Sequence, residues 1–428
     1  RRRALYLPEV ARYDYILGQS KDKPLPKLLN DAMKAIEESF EPLMNVLPKD
    51  YHIFTDQTVL EELLKIFNRE AIKTASGDIF GRIYEFFLMK FAIDKAMDNG
   101  EFFTPPSIVQ TIVNVIEPDH GKVADIACGS GGMFVQSSYF IESEGEDTAK
   151  RVTFYGHEKT ASTIKLAKMN LAVHGLEGKI AEANTFYEDP FTLVGQCDFV
   201  MANPPFNVDL VDAKKAEADK KRLPFGLPGV NKAGKVSNGN YLWISYFHSY
   251  LKDAGRAGFV MSSQASSAGR DEQTVRRKIV ESGAVDAMIA IRSNFFYTRS
   301  VPCELWFFDR GKPTERLDKV LMLDARNVFR KVTRKVNDFS PEQLANLSSI
   351  VWLYRGQSER FVGLAHQHLK NAIAEAGAIA TAVSAFKAGC DALVDATAAY
   401  EKSLPKKSPL HALIKERSDA EKQCFLSA

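Results

Sequence analysis

Apolar residues recur at helical spacing through the first hundred residues. The stretches TVLEELLKIF (58–67) and DIFGRIYEFFLMKFAI (78–93) place apolar side chains three and four positions apart, and no alternating strand pattern interrupts them. We therefore predict a helical N-terminal segment over residues 1–100.

From about residue 120 the pattern changes to short apolar runs that alternate with amphipathic stretches. The runs are KVADIAC, VTFYGHE, KIAEAN and CDFVMAN, followed by AGFVMSS (257–263), VDAMIAI (285–291) and CELWFFD (303–309). Such alternation is typical of βα units that build a parallel sheet. We predict an α/β fold with a doubly wound sheet over residues 101–325.

The pattern is helical again after residue 340. Alanine dominates residues 369–401, where large apolar side chains are few. A helix of this kind does not build a thick core alone, so we expect it to pack on a partner or on other helices. Residues 326–428 are predicted to be a helical C-terminal extension.

Composition and charge narrow the function only slightly. The chain has 428 residues, of which 45% are hydrophobic and 26% are charged, which is ordinary for a soluble protein of two or three domains. The formal net charge is only +2, so a nucleic-acid surface would have to come from a local patch. Residues 211–240 carry seven Lys or Arg against three acids, a local balance of 7 − 3 = +4. This segment is either a solvated loop or a nucleic-acid contact.

The cysteines and the apolar tracts bear on the compartment. The five cysteines are widely spaced and form no CxxC pair, which argues against a disulfide framework and a structural zinc, so we predict no metal. The tract AGAIATAVSAF (376–386) is too short and too rich in alanine for a membrane span of about 20 residues. We expect a cytoplasmic protein without a membrane partner. The start RRRALYLP lacks a methionine and need not be the true beginning.

A glycine-rich turn joins the first predicted strand to a helix in VADIACGSGGMF (123–134). Gly129, Gly131 and Gly132 allow backbone N–H groups to approach a ligand closely at the start of that helix. In open α/β sheets the ligand crevice lies beyond the carboxyl ends of the strands, where this turn falls. A tight turn that needs positive φ would also select glycine.

Polar residues end the next two predicted strands. Glu158 ends VTFYGHE, where an acid can accept hydrogen bonds from the ribose hydroxyls of a bound nucleoside. It can also be an acid favoured by a helix N-terminus. Asn184, in AEANTF, can reach an adenine edge through its amide or can serve as a turn former. No GK[ST] follows the glycines, which disfavours phosphate binding.

The fourth strand ends in an unusual turn, FVMANPPFNV (199–208). Asn203 provides a side-chain acceptor, and Pro204 and Pro205 lack N–H donors and hold φ fixed, which makes the turn rigid and leaves its carbonyl groups free. The ring of Phe206 offers a stacking face, an interaction worth about 1–3 kcal/mol per base. Because this strand is expected beside the first one, the turn faces the same crevice and is suited to bind an exocyclic amine.

These motifs resemble those of a known enzyme class. EFFTPPSIV (101–109), DIACGSGG (125–132), GHE (156–158) and NPPF (203–206) occur in the order found in γ-class amino-methyltransferases. The downstream stretches LKDAGRAGFVM and DARNVFRKVTRKVNDFSPEQ resemble the modification subunit of type I restriction-modification systems, which methylates adenine N6 in DNA. The resemblance covers about residues 78–350.

The resemblance implies a Rossmann-like S-adenosylmethionine-dependent methyltransferase sheet. Asn203 and the Pro204 carbonyl would accept the two N6 hydrogens of an adenine flipped out of the duplex, beside Pro205, and Phe206 would stack on that base. Residues assigned to the cofactor S-adenosylmethionine are Phe103, Thr104, Asp125, Ala127, Gly129, Gly131, Gly132, Glu158 and Asn184.

The resemblance also implies partners. The chain has no evident target-recognition domain, so a specificity subunit would choose the site on double-stranded DNA, docked on the alanine-rich helices after residue 360. A restriction subunit and a second modification subunit are further partners that the family allows. The candidates for DNA contact are Lys214, Lys215, Lys220, Lys221, Arg222 and Phe295.

Two other functions stay open on the sequence. The NPP-aromatic turn also serves enzymes that methylate RNA adenines or protein glutamines. A non-catalytic DNA-binding assembly subunit on a degenerate methyltransferase fold is the second alternative, although intact glycines, Glu158 and NPPF argue against decay.

Overall fold

The protein is described here by a computed structural model. It describes residues 6–19, 23–54, 56–73, 81–90, 104–296, 300–334 and 336–426. The chain divides into two compact units, Arg1–Tyr354 and Arg355–Ala428. The first unit has mixed α/β structure around a mostly parallel sheet, which confirms the predicted fold class.

The described part of the N-terminal segment is helical. Its helices are α1 (Tyr13–Gln19), α2 (Leu25–Ser39), α3 (Gln57–Phe67) and α4 (Glu70–Lys73), and residues 81–90 are also helical. The segment packs on the sheet domain through Leu43 and Val46, which are buried against Ala172. The Tyr84 hydroxyl donates a hydrogen bond to the Leu166 carbonyl oxygen at 3.0 Å. The boundary expected near residue 100 falls outside the described residues.

One large sheet organises the first unit. Its eight strands are β1 (Gly121–Asp125), β2 (Val152–Glu158), β3 (Gly178–Glu182), β4 (Cys197–Ala202), β7 (Leu251–Ser262), β8 (Val285–Ile291), β9 (Cys303–Asp309) and β10 (Leu321–Asp324). Their order in the sheet is β10-β8-β9-β7-β4-β1-β2-β3. Only β9 runs antiparallel to its neighbours, which are β7 and β8. The strand order reverses between β1 and β4, and this reversal creates a crevice at their carboxyl ends.

Short two-stranded ladders lie outside the large sheet. They pair β5 (Val211–Asp212) with β6 (Lys235–Val236) and β11 (Arg330–Lys331) with β12 (Asn337–Asp338). The β5–β6 ladder lies within the basic segment that follows the NPPF turn, so that segment is folded back on itself as a hairpin.

Helices cover both faces of the sheet. They are α5 (Pro106–Ile116), α6 (Gly132–Ser143), α7 (Thr148–Arg151), α8 (Ala161–Val173), α9 (Ala213–Ala216), α10 (Asn240–Tyr250), α11 (Gln264–Ser267), α12 (Arg270–Glu281) and α13 (Pro341–Tyr354). One core contains apolar residues of α5, α6 and α13, and the other contains those of α10 and α12. A sheet buried on both faces explains why its strands appeared in the sequence as nearly continuous apolar runs.

The first unit extends beyond the boundary that we expected at residue 325. In α13, Leu344 and Val351 are buried in the same core as α5. The Trp352 indole Nε1 donates a hydrogen bond to Glu117 Oε1 at 3.1 Å. Burial of one face of α13 makes it part of the sheet domain, so we correct the boundary to Tyr354.

The second unit contains two helices, α14 (Ser358–Ser403) and α15 (Leu410–Leu426). None of the 46 residues of α14 is buried. Among the described residues, α14 alone has the length and apolar composition of a membrane-spanning helix, with a mean hydropathy of 1.3 over its most apolar window. A single helix that meets this criterion is weak evidence for a membrane span.

Candidate functional site

The carboxyl ends of four parallel strands place the predicted site residues along one edge of the sheet. Asp125 ends β1 and Glu158 ends β2, while Asn184 and Asn203 follow β3 and β4. Since the register pairs Asp125 with Gly156 of β2, these ends lie side by side. The structure therefore brings together the residues that the sequence had separated by almost eighty positions.

The glycine turn between β1 and α6 is held in place by several hydrogen bonds. The Cys128 N–H donates to the His157 carbonyl oxygen at 3.0 Å, and the Ala127 N–H donates to Asp125 Oδ1 at 3.0 Å. Gly129 and Gly131 have φ of 51° and 78°, a backbone region that glycine enters without strain. The turn is thus shaped before any ligand binds.

Gly132 leaves open space at the start of α6. Its φ is not positive, and no heavy atom lies within 4 Å of the place where a Cβ would be. Neither backbone strain nor packing inside the protein therefore requires glycine there. Close approach of a ligand to the backbone at the start of α6 does explain it.

Glu158 keeps acceptor capacity while it supports the glycine turn. Its Oε2 accepts from the Gly129 N–H at 3.1 Å and its Oε1 accepts from the Thr160 N–H at 2.9 Å. Each carboxylate oxygen has two lone pairs, so each retains one acceptor site that suits a ribose hydroxyl. The Thr160 bond lies at the start of α8, which agrees with an acid at a helix N-terminus, while the ribose contact stays a prediction.

Asn184 adopts the turn-forming role. Its side-chain Oδ1 accepts from the Phe186 N–H at 3.2 Å, and its own N–H donates to Glu188 Oε2 at 2.9 Å. Its turn-forming bonds use one acceptor site of Oδ1, and the amide NH₂ group and the second lone pair of Oδ1 stay available for a base edge, so its cofactor role stays a prediction.

Asp125 is nearly inaccessible, with 2% of its surface exposed. Burial, opposed by the hydrogen bond from Ala127 and aided by the charge of Glu158, raises the pKa of this carboxyl to about 8. Around neutral pH the carboxyl is largely protonated, and a positively charged ligand beside it would favour its ionised form.

The catalytic candidate Asn203 has a fixed side-chain orientation. Its Nδ2 donates to Thr104 Oγ1 at 2.9 Å, a bond that spans 99 positions in the sequence. Its Oδ1 is buried and has no hydrogen-bond partner among the described residues. An unpaired buried carbonyl oxygen is costly, so this atom is a candidate acceptor for a donor on a ligand.

The rest of the NPPF turn lies around this oxygen. Pro204 is buried, Pro205 is exposed, and Phe206 is half-buried where the two cores of the sheet meet. The half-buried ring of Phe206 keeps part of its surface accessible. Phe103, which we assigned to the cofactor, lies outside the described residues.

The basic segment after the turn divides into exposed and buried residues. Lys214, Lys215, Lys220 and Lys221 are exposed, as a DNA contact requires. Arg222 is 2% exposed, with its guanidinium carbon 4.2 Å from the centre of the Tyr246 ring and an NH2 group bonded to the Thr185 carbonyl oxygen.

Two predicted DNA contacts need correction. Arg222 anchors the basic segment to the sheet domain and presents no charge to solvent. Phe295 is fully buried, and its ring packs 4.6 Å from that of Phe339. We therefore remove Arg222 and Phe295 from the residues expected to contact DNA.

Sequence reasoning missed Asn170 of α8. This residue is 1% exposed, and its Nδ2 donates to the Ser130 carbonyl oxygen in the glycine turn at 2.8 Å. An asparagine in an amphipathic helix pattern looks like part of the solvated face, so the sequence contained no local signal for this role.

The chain is similar in sequence to known DNA methylase proteins. The sequence model of the N-6 DNA Methylase family matches residues 75–375. The MjaIX methylase subunit of a type I restriction enzyme from Methanocaldococcus jannaschii is 34% identical over 350 residues, which cover 80% of this chain and 62% of that protein. The HindI methylase subunit from Haemophilus influenzae is 32% identical over 334 residues, which cover 75% of this chain and 73% of that protein.

Solved structures show the same fold. The type I restriction-modification methyltransferase subunit from Streptococcus thermophilus has a TM-score of 0.70 at 20% identity, covering 82% of this chain and 76% of that one. A class I S-adenosylmethionine-dependent methyltransferase from Listeria monocytogenes has a TM-score of 0.52 at 16% identity, covering 81% of this chain and 96% of that one.

Within the described residues no group of three or more His, Cys, Asp or Glu side chains could hold a metal ion.

Proposed function

The chain belongs to the N-6 DNA methylase family, and we propose that it transfers a methyl group from S-adenosylmethionine to adenine N6 in double-stranded DNA. We propose further that it does so as the modification subunit of a type I restriction-modification complex. One observation carries this proposal. The Asn203 amide donates one hydrogen bond to Thr104, and its buried acceptor has no partner within the described part of the chain. An exocyclic amine supplies the missing donor.

The residues at the strand ends have separate proposed roles in binding the cofactor and the adenine. S-adenosylmethionine would lie on the glycine turn, with Glu158 on its ribose, and supplies the methyl group. An adenine flipped from the duplex would bring its amine to Asn203 Oδ1 and the Pro204 carbonyl, with Phe206 against the base. Two fixed acceptors hold the N6 hydrogens, draw the nitrogen lone pair out of conjugation with the ring and orient it for transfer, and the N6 proton that the methyl group replaces leaves to solvent. Orientation of this kind supplies much of the rate in reactions that need no strong base.

Recognition of DNA would be shared between this chain and others. The exposed lysines of the basic segment contribute phosphate contacts without base specificity. A specificity subunit would read the bases, and the complex would act in the cytoplasm, with a second modification subunit and a restriction subunit as further members.

Helix α14 is the proposed docking surface for the specificity subunit. We define its apolar stripe as Ile379, Val383, Phe386, Cys390, Leu393, Thr397 and Tyr400, whose spacing alternates between four and three residues. Ile379, Val383 and Phe386 expose 64%, 59% and 69% of their surface. A heptad spacing of this kind fits a second helix packed along α14, since knobs enter holes at these positions.

The test is transfer of labelled methyl to nucleic acid. The chain, purified with a specificity subunit encoded in the same genome, is incubated with S-adenosylmethionine labelled on the methyl group and with duplex DNA, RNA or protein. We expect N6-methyladenine in nucleosides from the DNA and no label elsewhere. Label on RNA or on protein glutamine would refute the proposal, as would binding of DNA without any transfer.

A further inference from the structure

Three asparagines beside the catalytic turn form a network that the proposed chemistry does not yet use. Asn207 Oδ1 accepts from Asn240 Nδ2 at 2.9 Å and from Asn238 Nδ2 at 3.1 Å. The Asn207 N–H in turn donates to Asn240 Oδ1 at 2.8 Å. We call Asn207, Asn238 and Asn240 the asparagine clamp.

The clamp lies where the two ends of the basic segment meet, which we call its neck. Residues 208–239 leave and return at the same point, because the Gly239 N–H donates to the Val208 carbonyl oxygen at 2.7 Å. Within the segment, β5 and β6 continue this closure, and Lys235 Nζ pairs with Asp212 Oδ2 at 2.7 Å. Phosphate contacts on the segment are therefore tied to the catalytic turn through a short, hydrogen-bonded neck.

The clamp is itself fixed to the core. Asn240 is 1% exposed and is the first residue of α10, whose inner face is buried throughout. Its own N–H donates to Asn238 Oδ1 at 2.9 Å, which fixes the second arm of the clamp. A rigid buried helix thus supports the side chain that holds Asn207.

Asn207 follows Phe206 directly and has a left-handed backbone, with φ of 55°. Asparagine is among the few residues other than glycine that enter this region at low cost. The preceding end of the turn is held by β4, where Ala202 pairs with Phe259 of β7. Only residues 203–206 lie between these two fixed points, so the clamp, together with the packing of Phe206 on the core, limits where Pro204 and Phe206 point.

We propose that the asparagine clamp positions the NPPF turn for catalysis, and that Asn207 is its central positioning residue. This inference rests on the proposed function, because it assigns the clamp to the same methyl transfer. Asn207 acts through Phe206 and the Pro204 carbonyl, and does not touch the reacting atoms itself. Loosening the clamp should therefore slow the transfer step more than it weakens binding of either substrate.

Three variants test the clamp at one backbone conformation. Asn207→Gly keeps the left-handed backbone and removes the acceptor for both amides. Asn207→Asp keeps an acceptor oxygen for them. Leu210→Gly is the matched control, since Leu210 is 65% exposed, also has positive φ at 58°, and lies outside the clamp. Single-turnover rates at saturating DNA and cofactor are measured for the whole complex, together with Kd for each substrate and Tm.

We expect Asn207→Gly to lower the single-turnover rate about tenfold or more, while the two Kd values change less than about threefold, because misplacement of aligned groups mainly costs rate. Asn207→Asp should restore the rate, although its added charge weakens DNA binding. Leu210→Gly should behave as wild type. Equal rates for Asn207→Gly and Leu210→Gly would overturn the inference, as would a rate loss accompanied by weaker cofactor binding and a lower Tm. Absence of adenine methylation by the wild-type complex would refute the proposed function instead.

Discussion

The edge of the sheet and helix α14 differ in which side chains are exposed to solvent. At the sheet edge, Asp125 and the Asn203 acceptor are withdrawn from solvent, and the surrounding core is closed on both faces. Along α14 no residue is buried, and large apolar side chains such as Phe386 face solvent. An unpaired polar atom inside the first unit points to a small ligand with a hydrogen-bond donor, whereas an unpaired apolar stripe points to a protein partner.

The difference implies that chemistry and assembly can be damaged separately. Substitutions at the sheet edge should abolish methyl transfer and leave the specificity subunit bound. Substitutions on the apolar stripe of α14 should weaken binding of the specificity subunit and leave cofactor binding unchanged. Each of the following changes is chosen to test that separation.

The largest effect is expected from Asn203→Ala. Loss of this side-chain acceptor at the proposed amine site should lower the single-turnover rate about 100- to 1000-fold, by analogy with removal of one aligned hydrogen-bonding group at an active site. Calorimetry should find nearly unchanged affinity for S-adenosylmethionine and for the specificity subunit. A parallel loss of cofactor affinity would show that Asn203 holds the cofactor and that the roles are misassigned.

A smaller effect, at the other region, is expected from Phe386→Asp on α14. A charge at the centre of the stripe should weaken binding of the specificity subunit about 100-fold, as substitutions at buried aromatic anchors of interfaces do. Cofactor affinity of the chain should not change. Ala388→Asp is the matched control, because it adds the same charge two positions away, off the stripe. Similar weakening by both variants would mean that charge alone, and not the stripe, determines docking.

The smallest effect is a pH dependence of stability from Asp125. Its folded pKa of about 8 lies above the unfolded value, so the folded state keeps a proton that the unfolded state loses, and this carboxyl destabilises the fold increasingly as pH rises from about 4 to 8. Asp125→Asn removes that dependence. The Tm of the variant, relative to wild type, should therefore be higher at pH 8 than at pH 5, without cofactor. An identical Tm difference at both pH values would contradict the buried protonated carboxyl.

Periodicity alone was enough to locate most strands of the sheet. The predicted bounds of β2, β8 and β9 agree with the structure residue for residue, because these strands are apolar and end at clear polar positions. Strand β7 begins at Leu251, six residues earlier than expected. The residues after Leu251 are polar and glycine-containing, and the pairing of Leu251 with Cys197 of β4 extends the strand where the local pattern does not predict it.

Contacts between segments far apart in the chain could not be predicted from the sequence pattern. Nothing in the local pattern shows that α13 packs beside α5, and for that reason the domain boundary was placed too early. The same holds for Arg222, whose neighbours in the chain suggest a solvated basic run while Tyr246 and Thr185 bury its guanidinium. Such pairings depend on the packing of elements far apart in the chain, which periodicity does not encode.

What the sequence determined by itself was the chemistry available at the strand ends. Glycines after β1, an acid after β2 and Asn-Pro-Pro-Phe after β4 are local facts, and parallel strands must gather them at one edge. Only the tertiary structure decided which of their atoms can be used. Thr104 accepts a hydrogen bond from the Asn203 amide, whose buried Oδ1 has no partner among the residues that the structure describes, and the asparagine clamp fixes the far side of the turn. The hydrogen bond from Asn203 to Thr104 joins residues about 100 positions apart, and that between Asn207 and Asn240 joins residues 33 positions apart. Such bonds orient the side chains, because the orientation of a side chain depends on its neighbours in space.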